Sequence, residues 1–247
     1  TIVLILFGIN CKSYFLLITR KFAQAVKMEE VRYYLGIIAI AVLIITCNIY
    51  HMYGSVSESL QQAAFQIGSI ITTTGYATTD FNLWPEISRT ILVMLMFVGA
   101  CAGSTGGGIK VTTMAIIVMT AVSIIRGKEE PYVLKRRIAA NVVYRSIAIL
   151  FLGIVVVSVT SIILMTTSPL EQNSFSGIDA VFEAMSAFAT VGVSAGVTGI
   201  TSEISQVALI LAMFIGRVGP VSFGLSLAAQ QSVSRKLIMP EGKVIVG

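Results

Sequence analysis

Two short stretches carry the residues best suited to chemistry in this chain: Thr72-Thr-Thr-Gly-Tyr-Ala-Thr78 and, 117 residues later, Ala189-Thr-Val-Gly-Val-Ser-Ala195. In each, a glycine (Gly75 or Gly192) follows a threonine (Thr73 or Thr190) by two positions. What such a stretch offers is oxygen. An extended loop that turns successive carbonyls to one side needs a residue at positive φ or without a Cβ in the way, and glycine supplies both. A ring of inward carbonyls can replace the hydration shell of a cation. Thr73 and Thr190 add hydroxyl and carbonyl oxygens at the inner end of each loop, and Tyr76 adds its carbonyl. The chemistry implied is the stripping of water from a passing metal ion by main-chain oxygen.

The likeness extends beyond the two stretches. At the same offset and without a gap, Leu35-Gly-Ile37 repeats as Leu152-Gly-Ile154, Phe65 as Phe182 and Ser69 as Ser186. Glu86-Ile-Ser88 repeats as Glu203-Ile-Ser205, and Met96-Phe97 with Gly99 as Met213-Phe214 with Gly216. Roughly twenty identities over about seventy positions exceed what hydrophobic composition supplies, and imply a duplicated structural unit.

The elements that hold these loops must lie in a membrane. Of the 247 residues 55% are hydrophobic and only 12% charged, with a mean hydropathy of +0.88, which marks an integral membrane protein. The net charge is +5. Fourteen of the 17 Lys and Arg fall in Lys12 to Arg32, Arg126 to Arg145 and Arg235 to Lys243. Bases clustered in this way set orientation, cytoplasmic side first, and do not read as a nucleic-acid surface. The connections between the clusters carry Glu58, Asp80, Glu86, Glu171, Asp179 and Glu203, an acidic outer mouth that would concentrate cations. Cys11, Cys47 and Cys101 form no spaced pairs and read as buried small apolar residues.

In chain order, residues 1–34 read as the end of a preceding membrane helix, whose beginning lies outside the sequence, followed by a cytoplasmic linker helix over Asn10 to Arg32. Residues 35–137 form the first unit. Tyr33 to Tyr50 has the length of one span. Ser55 to Thr72 opens with helix-start residues and carries Gln61, Gln62, Gln66 and Ser69, so it reads as a re-entrant half-helix ending in the first loop. Pro85 to Ile125 would be ~60 Å long as one helix, twice the membrane core. Gly99-Ala-Cys-Ala-Gly-Ser-Thr-Gly-Gly-Gly108 must break it. Residues 138–247 repeat the plan: a span over Ile147 to Met165, a half-helix over Ser176 to Ala189, a span over Ile204 to Gln230, then a basic cytoplasmic tail. The predicted fold class is therefore all-α, with parallel repeats of helix, half-helix with loop, and helix around a pseudo-symmetric pore.

Thr73-Thr-Gly-Tyr-Ala77 and Thr190-Val-Gly-Val-Ser194 are similar to the potassium-channel filter Thr-Val-Gly-Tyr-Gly. With the break ending in Lys110 and the Gly216-Arg217-Val-Gly-Pro220 stretch, the whole chain resembles the Trk/Ktr/HKT superfamily of potassium transporters, most of all the C-terminal half of a Trk-type membrane subunit. The resemblance implies four units around one pore, of which these are the third and fourth. It implies potassium uptake across the plasma membrane, the inner membrane in a bacterium. The ion would be bound at Thr73, Thr74, Gly75, Tyr76, Thr190, Val191, Gly192 and Val193. The second filter glycine is replaced by Ala77 and Ser194, a looser pattern that bears on sodium exclusion. Gly103, Gly106, Gly107 and Gly108 would give a gate its mobility, with Lys110 at its end and Arg217 projecting toward it. Family members work as homodimers with a cytosolic nucleotide-binding regulatory ring. Potassium is the transported ion, and no other cofactor is implied.

Other readings sit beside these. Gly103 and Gly108 have the separation of a phosphate-binding loop, but Ile109 stands where that loop needs Lys. Arg217 is either a gate element or the partner of a carboxylate such as Glu183. Lys110 reads as a cytoplasmic anchor. His51 reads as interfacial, and the Tyr76 ring as packing behind its loop. A symporter coupled to protons or sodium would need a mid-membrane acid, for which only Glu183 qualifies. An intramembrane protease would need Gly-x-Gly-Asp or His-Glu-x-x-His, and neither is present.

Overall fold

The computed structural model describes residues 1–20, 28–104, 106–127, 132–133, 136–167 and 176–219. Two short helices, α1 (Ile2–Phe7) and α2 (Cys11–Ile18), precede the first long one, α3 (Glu29–Tyr53). Then come α4 (Val56–Ile71), a 3-10 turn (Phe81–Leu83), α5 (Glu86–Phe97) and α6 (Val111–Ile125). A two-residue antiparallel pair, β1 (Tyr132–Val133) with β2 (Arg136–Arg137), leads to α7 (Ala140–Thr167). The second series continues with α8 (Gly177–Ala189), a 3-10 turn (Thr198–Ile200) and α9 (Glu203–Val218). The fold is all-α.

The helices α3 and α7 are long and apolar enough to cross a bilayer. Ile40 and Leu43 on α3, and Phe151 and Ile162 on α7, are exposed, which lipid accepts and water does not. The ends of α4 and α8 are their opposite: Ile67, Ile70 and Ile71, and Ala184, Ala187 and Phe188, are buried. The long helices shield two short central ones.

Chain direction is set by local chemistry. α3 stops at Gly54, whose φ of 64° is left-handed and whose N–H bonds the Tyr50 carbonyl at 2.9 Å, a glycine cap that turns the chain into α4. α8 starts with a reciprocal cap: the Ser176 hydroxyl accepts from the Ile178 N–H, and the Asp179 carboxylate accepts from the Ser176 N–H at 2.9 Å. Ser55, its counterpart, sits at the N-cap position of α4 without a side-chain cap bond.

The break in the apolar run is built on a bridge. Val98 and Ile109 pair in parallel, the Gly99 N–H bonds the Ile109 carbonyl at 2.7 Å, and the Val111 N–H bonds the Ala100 carbonyl at 3.3 Å. The parallel sense means that the chain enters and leaves this neck travelling the same way. Residues 99–108 are a lateral excursion from a path that continues into α6.

The two units share a core at the glycine loops, where Phe182, Ala189, Val191 and Val193 join the cluster formed by α3, α4 and α5. The rings of Phe81 and Phe182 stack across the units at 5.1 Å. Arg89 on α5 pairs with Asp179 on α8. Breaking this cross-unit pair should lower stability once, not twice. Arg89→Ala, Asp179→Asn and the double variant are expected to lose similar amounts in thermal melts, with a coupling of about 1 kcal/mol for a partly exposed pair. Fully additive losses would remove the pair's role.

Several boundaries differ from the sequence reading. The first span starts at Glu29, not Tyr33, and the second at Ala140, not Ile147, because apolar length alone does not register the polar turns that continue a helix past the bilayer. The linker helix ends at Ile18. Residues 21–27 of that linker, Pro220 to Gln230 of the last predicted span, the basic tail and Thr105 lie outside the described residues. Cys101 is buried as expected, but Cys47 is exposed on α3, where an apolar setting is lipid and not core.

Candidate functional site

Both short helices end in the same way, and that ending makes the loops. At the end of α4 the Thr73 N–H bonds the Ile70 carbonyl at 3.0 Å and the Thr74 N–H bonds Ser69 at 2.8 Å. At the end of α8 the Thr190 N–H bonds Ala187 at 3.0 Å and the Val191 N–H bonds Ser186 at 2.9 Å. This is the Schellman pattern, which needs a left-handed residue and usually takes glycine. Here threonine fills it: φ is 55° at Thr73 and 54° at Thr190. Two residues on, Gly75 and Gly192 have φ of 80° and 83°. The residues between are not in the positive-φ set. Alternation of left- and right-handed residues turns successive carbonyls toward one side, where a β-strand would alternate them.

A left-handed threonine costs of order 1–3 kcal/mol and persists only where its surroundings impose it. The two capping bonds at each site do so. The sequence pointed to glycine for positive φ and missed that threonine shares it. The signal available was the position of each threonine one or two residues past the last apolar residue of its helix, Ile71 or Ala189.

The loops meet. A Cβ built on Gly75 would fall well inside contact with the Val191 carbonyl oxygen and 3.4 Å from the Gly192 carbonyl. A Cβ on Gly192 meets no atom of the described residues within 4 Å. Not every predicted oxygen faces the same way. The Val193 carbonyl accepts from the buried Ser186 hydroxyl at 2.5 Å, so it is turned back toward α8, which removes it from the predicted ion-facing set. Thr190, Val191 and Gly192 remain. Tyr76 is exposed among the described residues, and the rings that stack across the units there are those of Phe81 and Phe182.

The glycine-rich loop lies against the inner ends of both stretches. The Gly107 N–H bonds the Thr73 hydroxyl at 3.3 Å. A Cβ on Gly107 would clash with the Thr190 hydroxyl and stand 2.5 Å from the Ala189 carbonyl, and one on Gly108 would stand 3.3 Å from the Ala189 side chain. Gly103 and Gly108 are left-handed, with φ of 75° and 66°. The loop's far edge is tied to the opening segment: the Cys101 N–H bonds the Gly8 carbonyl at 3.1 Å, and Gly103 faces the Asn10 side chain.

Lys110, read from sequence as an anchor at the cytoplasmic boundary, donates to the Gly106 carbonyl. It braces the loop because a backbone acceptor lies one turn away. Arg217, in the last turn of α9, lines a cavity of about 170 Å³ with Gly107, Gly108 and Lys110. Glu183 is not its partner. That carboxylate accepts from the Ala195 N–H and the Ser194 hydroxyl at 3.1 and 3.0 Å, and from the Thr198 hydroxyl.

The family model described as TrkH, cation transport protein, matches residues 5–236. The Ktr system potassium uptake protein B of Vibrio alginolyticus is 35% identical over 185 residues, covering 75% of this chain and 39% of that protein. Its namesake from Bacillus subtilis is 33% identical over 182 residues, covering 71% and 38%. This chain thus spans about two fifths of the length of these two relatives. The crystal structure of the potassium transporter TrkH from Vibrio parahaemolyticus superposes with a TM-score of 0.77 at 23% identity, over 92% of this chain and 50% of that one. At that identity the likeness is one of fold.

Proposed function

The chain belongs to the TrkH family of cation transport proteins, and on that premise we propose that it is part of a membrane protein that takes up potassium through a filter of main-chain carbonyls. The observation that carries the reading is the repeated backbone geometry. Thr73 and Gly75, and Thr190 and Gly192, have matching left-handed φ values, and the two stretches touch at Gly75 and Val191. Carbonyls so arranged can take the place of hydration water around a cation. The relatives named for potassium uptake support potassium as the ion.

Gly99 to Lys110 then acts as the gate. It sits directly inside the threonines, held by Thr73 and braced by Lys110, and Arg217 stands beside it. A fixed positive charge at membrane depth opposes cation passage while the loop is in place. The helices α4 and α8 enter the membrane only partway, and the complete protein supplies two further filter strands. Its homodimeric assembly and cytosolic nucleotide-binding ring belong to the same proposal.

Coupling to protons or sodium through Glu183 is disfavoured, because this carboxylate is committed to a backbone N–H and two hydroxyls. The test is rubidium or potassium uptake by the full-length protein in cells that lack their own uptake systems. Growth at low potassium with saturable rubidium uptake is expected. Uptake that depends strictly on sodium or on a pH gradient would favour the symporter.

A further inference from the structure

The two filter loops are backed by side chains at matched positions, and the backing is unequal. In the second unit the Ser186 hydroxyl donates to the Val193 carbonyl at 2.5 Å and accepts from the Val193 N–H at 3.1 Å. The Glu183 carboxylate, 5% exposed, accepts from Ser194, Ala195 and Thr198. Together these two residues of α8 tie down the chain from Val193 to Thr198.

In the first unit the residues 117 positions earlier are Ser69 and Gln66. Both are fully buried. Yet the Ser69 hydroxyl and both amide atoms of Gln66 have no hydrogen-bond partner among the described residues. The backbone anchor is the same in the two units, at Thr74 to Ser69 and Val191 to Ser186. The first loop has its own ties at either end, a Thr72–Thr74 hydroxyl pair at 2.8 Å and an exposed Thr78–Gln62 bond at 2.6 Å. Between them, at Tyr76 and Ala77, no side-chain hydrogen bond backs the strand among the described residues.

We propose that Glu183, acting with Ser186, is the positioning residue that sets discrimination of potassium from the smaller sodium ion. This rests on the filter reading given above. A carbonyl cage rejects the smaller ion only if its walls resist closing in, and in the second unit the ion-facing run from Thr190 to Gly192 leads directly into the segment that these bonds hold, from Val193 to Thr198. Charge-assisted bonds to a buried carboxylate are roughly twice as strong as neutral ones. The second strand therefore holds its width and the first strand yields. Of the two strands in this chain, the second carries the sharper selection.

The experiment uses the full-length transporter in uptake-deficient cells, with the amount in the membrane measured for every variant. Relative sodium and rubidium uptake and the KM for potassium are read. Glu183→Ala is expected to raise sodium uptake relative to rubidium about tenfold, the scale of one lost charge-assisted bond. Glu183→Gln, whose amide oxygen still accepts from the Ala195 N–H but carries no charge, falls between the parent and Glu183→Ala, and a ratio equal to the parent's overturns the part assigned to the charge. Gln66→Leu, which removes an amide that bonds nothing in its strand, shifts the ratio by no more than about twofold. An unchanged ratio in Glu183→Ala, or an equal change in Gln66→Leu, overturns the proposal while potassium uptake by the parent upholds the filter. A parent that takes up no potassium overturns the filter reading and the proposal with it. If Glu183→Ala does not insert, Ser186→Ala replaces it with the same expected direction, and an unchanged ratio there overturns the proposal equally.

Discussion

Gly75→Ala should abolish potassium-selective uptake while the protein still reaches the membrane. Two costs coincide at this residue. The φ of 80° is strained for any L side chain by about 1–2 kcal/mol. The new methyl would also stand inside contact with the Val191 carbonyl oxygen and against the Gly192 carbonyl, both backbone atoms that cannot rotate aside. Relief requires one strand to move, and what moves is the ion's own ligand set. Rubidium uptake is expected to fall by at least about tenfold, or to lose its preference over sodium. Gly192→Ala carries the strain without the collision against this chain, so its effect should be smaller. Equal and normal selectivity in both variants would remove the loops from the ion path.

The second large effect is expected at Gly107, and in the opposite direction. A methyl there collides with the Thr190 hydroxyl and with the Ala189 carbonyl at 2.5 Å. Threonine has few rotamers to retreat into, and the carbonyl belongs to the last turn of α8. The glycine-rich loop is the more yielding partner, so Gly107→Ala should push it from its seat. Uptake should rise about fivefold or more, the scale of ~1 kcal/mol in a closed–open equilibrium. Deleting Gly106 to Gly108 should act likewise, and Arg217→Ala more weakly, since it removes charge without moving the loop. Lower uptake from correctly inserted Gly107→Ala protein would show that the loop supports the pore instead of closing it.

The sequence made the outline legible wherever a pattern is periodic or repeated. The offset of 117 residues found both loops, and the need for a Cβ-free residue at positive φ singled out Gly75 and Gly192. Hydropathy found the long helices, and glycine density found the break. What it could not show was direction. Lys110 has a long side chain with a choice between water and a carbonyl one turn away, and composition does not decide that choice. The same holds for Val193, whose carbonyl is turned from its neighbours' side by a single hydroxyl on Ser186, and for Glu183, whose partners lie 11 to 15 residues along the chain. Thr73 and Thr190 were hidden by expectation, because left-handed backbone is associated with glycine and not with a β-branched residue.

The neck at Val98 and Ile109 bears on how such a protein can be retuned over time. Because the chain crosses its own path there in the same direction, the excursion hangs from a fixed pivot. The pairing of Val98 with Ile109 fixes α5 against α6 whatever the excursion's own length. If the loop closes the pore as proposed, its reach becomes adjustable independently of architecture, by changing a handful of glycines while the pairing of Val98 with Ile109 stays put.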